Sequence, residues 1–324
     1  MIDWLINVVV TISLIEMMAA VGLGVTFGEL AGAARNWRLV GKAVLANYVC
    51  VPAATVGLVM LFRPADPMVA VGFLILAACP AAPFGPPCTQ IARGNVANAV
   101  GLMAILAASS AIAAPVLLQL LLPLMAADRA LQVDTLQIAG TLVATQLLPL
   151  CAGLCVRHWL PRLADRLHKP ANVLTAILSV AAVGLVLVAQ FRLLLEIDWL
   201  GWVAMAALLV ASLACGWLLG GPGVDNRKAM ALTTSLRNVG VGLVIATGNF
   251  SGTAAVTGAV VYGLFEIIGS LLVALWWARR GAASVPGAGG QEPSVVPAVG
   301  PACRAGPAPP VPSGRRNLPS GPTL

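Results

Sequence analysis

The chain has 324 residues, of which 59% are hydrophobic and only 10% are charged, and its mean hydropathy is +0.93. A soluble domain has roughly 45–50% apolar and about 25% charged residues, so the composition excludes a water-soluble enzyme. The net charge of +7 does not indicate a nucleic-acid-binding protein, because the basic residues form no clustered face with aromatic side chains beside it. The composition therefore predicts an integral membrane protein in contact with the lipid bilayer.

A membrane-spanning helix needs about 20 mainly apolar residues, and the sequence contains nine candidate spans. In chain order these are 5–28, 39–62, 68–92, 95–123, 137–158, 170–190, 197–220, 229–247 and 252–278. The start has neither a basic segment nor a cleavage pattern, so we expect the first span to be retained and not removed as a signal peptide. Residues 281–324 hold ten Pro and eight Gly and are predicted to form a disordered tail.

The loops between the predicted spans are short and carry nearly all of the charge. When they are placed alternately on two sides of a membrane, the loops after the first, third, fifth and seventh spans and the tail are each net positive, and every segment on the other side is neutral or negative. Because positive loops stay in the cytoplasm, we expect a multi-pass protein of the cell (inner) membrane with its N-terminus outside and its tail in the cytoplasm. Tryptophans, which favour the membrane interface, fall at predicted span ends: Trp4, Trp37, Trp159, Trp199, Trp276 and Trp277.

Two of the predicted spans contain residues that disfavour a continuous helix. The third span holds the run Cys79-Pro80-Ala81-Ala82-Pro83-Phe84-Gly85-Pro86-Pro87. Each proline removes a backbone donor and clashes with the preceding turn, so this helix must break near the middle of the membrane. The eighth span combines hydroxyls, an amide, a cation and a glycine in the run Thr233-Thr234-Ser235-Leu236-Arg237-Asn238-Val239-Gly240. Irregular backbone at this depth is tolerated only where it is buried in protein or lines a cavity, so both runs indicate a site.

A short motif occurs near the end of both unusual spans. The run Ile91-Ala92-Arg93-Gly94-Asn95 is similar to Ile245-Ala246-Thr247-Gly248-Asn249, and a long span rich in small apolar residues follows each copy. The charge pattern places the two copies on opposite sides of the membrane. This placement predicts an inverted repeat.

Three charged residues fall inside predicted spans and away from the span ends: Glu16, Arg237 and Glu266. An ionisable group in a span costs at least about 2.5–3.5 kcal/mol on insertion scales, so it normally faces a cavity or a partner. Arg237 either lines a site for an anion or substrate, or pairs with Glu16 or Glu266 and stabilises the fold, and the two roles are compatible. For the two glutamates we favour the internal partner.

Other chemistries have weaker support in the sequence. The seven cysteines lie mostly in apolar runs and are interpreted as small buried hydrophobic residues. Cys151 and Cys155 are one helical turn apart, but no third ligand for a metal stands near them. His158 and His168 lie in a basic loop, where contact with solvent or lipid headgroups is expected. Nucleotide-binding, metalloprotease and serine-hydrolase motifs are absent, so no catalytic residue, metal site or cofactor is predicted.

Three features of the sequence resemble the bile acid:sodium symporter family, and the resemblance extends over residues 15 to about 278. They are the Cys-Pro pair that starts the break in the third span, the run Ala92-Arg93-Gly94-Asn95 that follows it, and the run Ser235-Leu236-Arg237-Asn238-Val239. The resemblance implies an all-helical membrane fold with two inverted repeats, whose two broken helices cross. It also implies a panel domain (spans 5–28, 137–158 and 170–190) that moves against a core domain made of the six other spans.

The sequence departs from the family pattern at the residues that bind two sodium ions. In the family, the first broken helix typically reads Cys-Pro-Gly-Gly-x-x-Ser-Asn and then Thr, and the second reads Glu-x-Gly-x-Gln-Asn. Here the Ser-Asn pair falls on Gly85 and Pro86, the Glu on Thr233, the Gln on Arg237 and an earlier Gln on Asn47, whereas Thr89 and Asn238 match. Because a cation does not readily sit beside a guanidinium, we expect the Arg237 charge to replace a sodium charge in a sodium-independent carrier.

The sequence therefore predicts a secondary transporter that carries a small organic anion by alternating access. Arg237 is expected to attract the anion, and hydrogen bonds are expected from neighbouring polar groups. The predicted substrate-binding residues are Thr89, Thr234, Ser235, Arg237 and Asn238. Two alternatives stay open: an arsenite efflux carrier that uses Cys79 or Cys88, and a membrane receptor or scaffold that has the fold without the transport activity.

Overall fold

The computed structural model describes residues 2–63, 66–124, 135–189, 191–192 and 199–283. Within these residues, every regular element is a helix. The α-helices are α1 Ile2–Gly24, α2 Phe27–Arg35, α3 Trp37–Leu45, α4 Val51–Phe62, α5 Pro67–Ala78, α6 Gly85–Ile91, α7 Val96–Leu121, α8 Thr135–Leu142, α9 Leu148–Trp159, α10 Pro161–Ala189, α11 Trp199–Leu219, α12 Val224–Ser235, α13 Val239–Asn249 and α14 Ala254–Ala283. The tail beyond residue 283 lies outside the described residues.

Seven helical segments are long and apolar enough to cross a membrane, and each coincides with a predicted span. They are Trp4–Gly24, Trp37–Phe62, Val96–Leu124, Leu136–Trp159, Pro161–Val186, Trp199–Leu219 and Ala254–Arg280. Large apolar side chains on several of them point outward, such as Ile112, Val180 and Leu218, which are 70%, 73% and 78% exposed. These outward faces suit lipid contact, and the protein is a multi-pass membrane protein.

The other two predicted spans each consist of two shorter helices with extended residues between them. The third is α5 followed by α6, and the eighth is α12 followed by α13. The break predicted from the prolines is present: α5 ends at Ala78, because Cys79 precedes Pro80 and so disfavours the helical conformation. In the eighth span the helix ends at Ser235 and resumes at Val239, with Asn238 as the N-cap residue.

The predicted limits of two spans are wrong. The first helix ends at Gly24 and not at residue 28, because a separate helix, α2, begins at Phe27 with Thr26 as its N-cap residue. Thr26 and Glu29 form a capping box, in which each side chain accepts a hydrogen bond from the backbone of the other. The basic segment that contains His168 was expected to be a loop, but it belongs to α10, which begins with Pro161, a favourable first helical residue.

Two helices that were expected to be regular each contain a widened π-helical turn. These turns, Ala46–Cys50 and Val143–Leu147, end directly before the start of α4 and α9. Each new helix has a proline as its second residue, Pro52 or Pro149. A proline cannot donate to the preceding turn and clashes with it, so the backbone widens there. The widened turns hold two fully buried amides, Asn47 and Gln146.

Small residues bring several helices close together. Helix α1 packs against α9 and α10, and its Gly22 lies so close to Gly153 on α9 that an added Cβ would sit 2.9 Å from the Gly153 Cα. Helix α14 packs against α5, where Gly72 faces Gly258 and Ala259. Helix α14 also contacts α6, α12 and α13, so it packs beside both broken spans.

Candidate substrate site at the crossing of two broken helices

The two breaks meet and hydrogen bond to each other through their backbones. Pro80 and Arg237 form an isolated antiparallel bridge, and the Asn238 N–H donates to the Cys79 carbonyl over 2.8 Å. Ala81 has a φ of +73°, a strained value for a residue with a Cβ, and such strain often marks ligand sites. Because the extended backbones satisfy each other's polar groups, the crossing can be buried at membrane depth.

Arg237 lies at this crossing and is 0% exposed. Its backbone N–H donates to Glu266 Oε1 over 2.6 Å, and its Nη1 donates to the Ala77 carbonyl over 3.4 Å. Its Nε and Nη2 have no hydrogen-bond partner among the described residues. No carboxylate oxygen of a described residue lies within 4.0 Å of the guanidinium. The guanidinium therefore has two buried nitrogen atoms, Nε and Nη2, whose hydrogen bonds are not satisfied within the described residues.

The two glutamates inside spans have different surroundings and different partners, and Glu16 is only half-buried. Glu266, on α14, is fully buried; its Oε1 binds the Arg237 backbone, and its Oε2 has no hydrogen-bond partner among the described residues. Glu16, on α1, accepts a hydrogen bond of 2.7 Å from the Thr175 hydroxyl on α10. Glu266 thus contacts Arg237 by a hydrogen bond from its backbone N–H, and not by an ion pair with its guanidinium. Glu16 instead links α1 to α10.

A cavity of about 400 Å³ lies beside the crossing. One wall comes from α1 and α10, and the other comes from the two breaks and α14. Most of the lining is apolar, as at Leu14, Val183 and Leu243, and Arg237 is the charged residue in it. An apolar cavity with one buried cation is suited to an anion that has an apolar body.

The predicted substrate-binding residues divide into two groups. Arg237 and Asn238 line the cavity; the Asn238 side chain also caps α13 by accepting from the Val241 N–H over 3.2 Å. The other three are buried but do not line it. Thr89 donates to the Gly85 carbonyl, Thr234 accepts from Asn47 Nδ2, and Ser235 shares a hydrogen bond of 3.0 Å with Ser270.

The positions that match the family's sodium ligands offer few oxygen atoms. Gly85 and Pro86 begin α6 and have no side-chain oxygen. A Cβ added to Gly85 would lie 3.9 Å from Thr233 Oγ1, so these two former ligand positions do face each other. Thr233 Oγ1 and Asn47 Oδ1 are buried without partners among the described residues. These positions thus supply two neutral side-chain oxygens without partners in the described residues, whereas a hard cation prefers several oxygen ligands.

Cysteines and metal ligands add little to this site. Cys79 and Cys88 are buried as predicted, but the interpretation is wrong for Cys151, which is exposed on α9, and holds only in part for the half-buried Cys50, Cys155 and Cys215. On the outer face of a membrane helix a thiol can contact lipid, so an apolar run does not require burial in protein. Within the described ranges, no group of three His, Cys, Asp or Glu residues could hold a metal.

The sequence interpretation missed two polar residues that accompany Glu266. Tyr262 and Ser270 are buried on α14, and with Glu266 they are spaced four residues apart along one helix face. This spacing was visible in the sequence and predicts that the three side chains lie on the same side. Gln146 was also missed; its amide donates to Ser110 Oγ on α7 over 2.7 Å.

A multi-pass helical protein with two broken helices that cross beside a cavity has the architecture of a secondary transporter. The model of the Sodium Bile acid symporter family matches residues 11–197, more than half of the chain. The chain therefore belongs to the sodium bile acid symporter family, and it is a membrane transporter and not an enzyme.

Three relatives agree with this family assignment. The chain is 26% identical over 291 residues to the Probable sodium/metabolite cotransporter BASS2, chloroplastic, of Oryza sativa subsp. japonica, covering 87% of the chain and 66% of the relative. It is 27% identical over 276 residues to the Uncharacterized sodium-dependent transporter YocS of Bacillus subtilis (strain 168), covering 82% of each protein. It is 26% identical over 273 residues to the Probable sodium/metabolite cotransporter BASS1, chloroplastic, of Arabidopsis thaliana, covering 82% of the chain and 65% of the relative. The alignment thus spans slightly less than two thirds of each plant protein.

Proposed function

We propose that this transporter carries a small organic anion across the cell (inner) membrane, and that the anion binds to Arg237 in the cavity beside the crossing. The observation that carries this proposal is the buried guanidinium, whose Nε and Nη2 have no partner among the described residues. Unpaired donors of a buried cation are costly unless a ligand satisfies them, and a carboxylate or sulfonate can do so. Asn238 would add a polar contact, since it lines the same cavity.

The shape of the site supports the substrate class. A volume of about 400 Å³ lies within the range of roughly 300–1,000 Å³ found for small-molecule pockets. Val239 and Gly240, the first residues of α13, line the cavity, so the positive end of that helix dipole adds to the Arg237 charge. The mostly apolar lining favours an anion with a compact apolar body over a small hydrophilic one.

Sodium coupling is a separate question, because the relatives' names describe sodium-dependent transport. For this chain the proposal is sodium-independent transport. Two unit charges about 4 Å apart interact by about 4 kcal/mol at an effective dielectric constant near 20, so a sodium ion beside Arg237 would be strongly repelled. The loss of side-chain oxygens at Gly85 and Pro86 supports the same conclusion.

The proposed transport cycle requires two domains that move against each other. In the arrangement we propose, nine spans, including the two broken ones, form two inverted repeats. The panel contains α1, α8, α9 and α10, and the core contains the remaining spans. The cavity lining, with α1 and α10 on one side and the breaks and α14 on the other, fits a substrate site between such domains. The positive loops support an outside N-terminus and a cytoplasmic C-terminus.

The test is counterflow in proteoliposomes, with labelled succinate, p-toluenesulfonate and taurocholate as probes of increasing apolar size. We expect saturable exchange of at least one probe, equal in sodium and in choline, and its loss in Arg237→Gln. Arg166→Gln is the matched control, since Arg166 is an exposed arginine on α10 outside the cavity, and it should exchange like the wild type. Unchanged exchange in Arg237→Gln would remove Arg237 from the site.

The same vesicles separate the two alternatives. Arsenite efflux predicts arsenite flux that is lost in Cys79→Ser or Cys88→Ser, whereas an organic anion carrier keeps its exchange in at least the Cys88 variant, whose thiol is not part of the cavity lining. A receptor or scaffold predicts no saturable flux of any probe.

A further inference from the structure

Glu266 is an unusual carboxyl group for the interior of a membrane protein. It is fully buried, and only its Oε1 receives a hydrogen bond, from the Arg237 backbone N–H at 2.6 Å. The other oxygen, Oε2, has no donor among the described residues. A buried carboxylate oxygen without a donor is strongly unfavourable. A proton on Oε2 would remove that penalty, because the neutral carboxyl group is far less costly to bury.

The surroundings of Glu266 hold one fixed charge, that of Arg237. Among the described residues, α5 and α13 contribute no titratable side chain, and α10 contributes none after Lys169. The acidic and basic residues of α12 lie in its first two turns, at the end away from the break. The remaining titratable groups near the Arg237–Glu266 pair are Tyr48, Cys79, Cys88, Cys215 and Tyr262. Tyrosine and cysteine are neutral at ordinary pH, so Glu266 is the group whose charge can change.

The pair also lies next to the cavity. Arg237 is part of its wall, and so are Leu264 and Ile267, which flank Glu266 on α14. Glu266 itself is fully buried and does not line the cavity, so a proton from the cavity has to pass between these neighbouring side chains to reach Oε2.

Charge balance connects the two groups with the anion. When the cavity holds no anion, the nearby Arg237 cation favours the ionised form of Glu266 and so opposes the cost of the missing donor at Oε2, and the two charges cancel. An anion at Nε and Nη2 brings a second negative charge into the same buried region, and one proton on Oε2 makes the whole neutral again. We propose that Glu266 binds a proton when an anion occupies the Arg237 site, so that one proton crosses the membrane with each monovalent anion. This inference rests on the proposed function of Arg237.

In each cycle, a proton from the entry side forms an O–H bond with Oε2, and the same bond breaks when the anion leaves on the other side. No other reactant is needed. A sodium ion on Oε2 would be the competing occupant, and it predicts a dependence on the sodium gradient instead.

The experiment uses wild-type proteoliposomes with the membrane potential clamped and p-toluenesulfonate as the probe, because a sulfonate stays charged and does not cross the bilayer as a neutral acid. With the outside one pH unit more acidic, we expect accumulation of up to about tenfold, the limit for one proton per monoanion. A pH dye trapped inside should report acidification as the probe enters. A sodium gradient alone should give no accumulation.

In Glu266→Gln, which resembles the protonated side chain, we expect the pH gradient to cause no accumulation and counterflow to lose its dependence on pH. Glu16→Gln is the matched control: it changes another glutamate inside a span, one that binds Thr175, and should behave like the wild type. If Glu266→Gln does not fold, the dye signal in the wild type still decides, since probe entry without acidification overturns the proposal.

The outcomes also separate this inference from the proposed function. Counterflow without accumulation under a pH gradient, or accumulation that persists in Glu266→Gln, overturns the proton site but leaves the anion site at Arg237 intact. If none of the three probes shows counterflow, the anion site fails, and the proton linkage fails with it. Accumulation that follows the sodium gradient assigns Oε2 to a cation and overturns the proton site.

Discussion

The backbone N–H of Arg237 donates a hydrogen bond to Glu266 Oε1 over 2.6 Å, while the guanidinium of the same residue forms no ion pair with that carboxylate among the described residues. The hydrogen bond joins the second break to α14 through a backbone N–H, a group that every residue except proline has. A change of the Arg237 side chain therefore leaves this link in place. The functional and structural roles of Arg237 can be separated by mutation.

Arg237→Lys tests whether the geometry of the guanidinium is used as well as its charge. A lysine keeps the cation but loses the planar pair of donors that can bind one anion twice. We expect the KM of counterflow to rise about tenfold, the effect of losing one charge-assisted hydrogen bond of roughly 1.5 kcal/mol, with a much smaller change in the maximal rate. A KM equal to that of the wild type would mean that the charge alone suffices.

Gly240→Leu should close the cavity from the side of the second break. A Cβ at this position would lie 3.1 Å from Met17 Cε and 3.5 Å from Leu14 Cδ1 on the opposite wall. A leucine there fills the space in which the anion is proposed to bind. We expect loss of counterflow while the protein still purifies as a folded monodisperse sample. Gly248→Leu in the same helix is the control, because a Cβ at Gly248 meets nothing within 4 Å, and equal loss in both variants would contradict the location of the site.

Gly22→Leu tests the packing of α1 on α9. The added side chain would collide with the backbone of Leu150 and Gly153, and backbone cannot move aside as a flexible side chain does. Overpacking typically lowers the free energy of unfolding by about 1–3 kcal/mol. We expect the loss in this variant to lie at or above the upper end of that range and to appear as a clear decrease in melting temperature. Gly140→Leu, where a Cβ meets nothing within 4 Å, should melt within a degree or two of the wild type.

Sodium should not stabilise the purified protein specifically. A ligand that binds only the folded state at about 100 times its Kd adds about 2.7 kcal/mol of stability, which a melting curve detects readily. We expect equal melting temperatures in sodium chloride and choline chloride at the same ionic strength. A rise that is specific to sodium would identify a cation site, with Thr233 Oγ1 and Asn47 Oδ1 as its first candidate ligands.

The parts of the fold that local sequence patterns determine could be predicted. Long apolar runs predicted all seven long spans, five of them close to their observed limits, and the prolines after Cys79 predicted the first break. The capping box of Thr26 and Glu29 was equally readable but was overlooked, which put the end of α1 too late. The widened turns before Pro52 and Pro149 depend on how a helix relaxes around a proline, and periodicity alone does not reveal that.

The candidate site could be predicted only in part, for a physical reason. An ionisable residue in an apolar run must have a partner or a cavity, so Arg237 could be identified from its position alone. Its actual neighbours come from contacts between distant segments. The carboxylate of Glu266 is 29 residues away along the chain and the carbonyl of Ala77 is 160 residues away, and no local pattern indicates either contact. Likewise, only the packing separates Asn238, at the cavity, from Ser235, which binds Ser270.

The crossing of the two breaks is fastened by main-chain atoms, through the Pro80–Arg237 bridge and the bond between the Asn238 N–H and the Cys79 carbonyl. Side chains at the crossing can therefore be exchanged during evolution without dismantling it. A lineage could lose the oxygen ligands of a cation and acquire an arginine in the same place while the scaffold stayed intact. A change of the side chains that bind a ligand at this crossing therefore needs no change of the backbone that holds the two broken helices together.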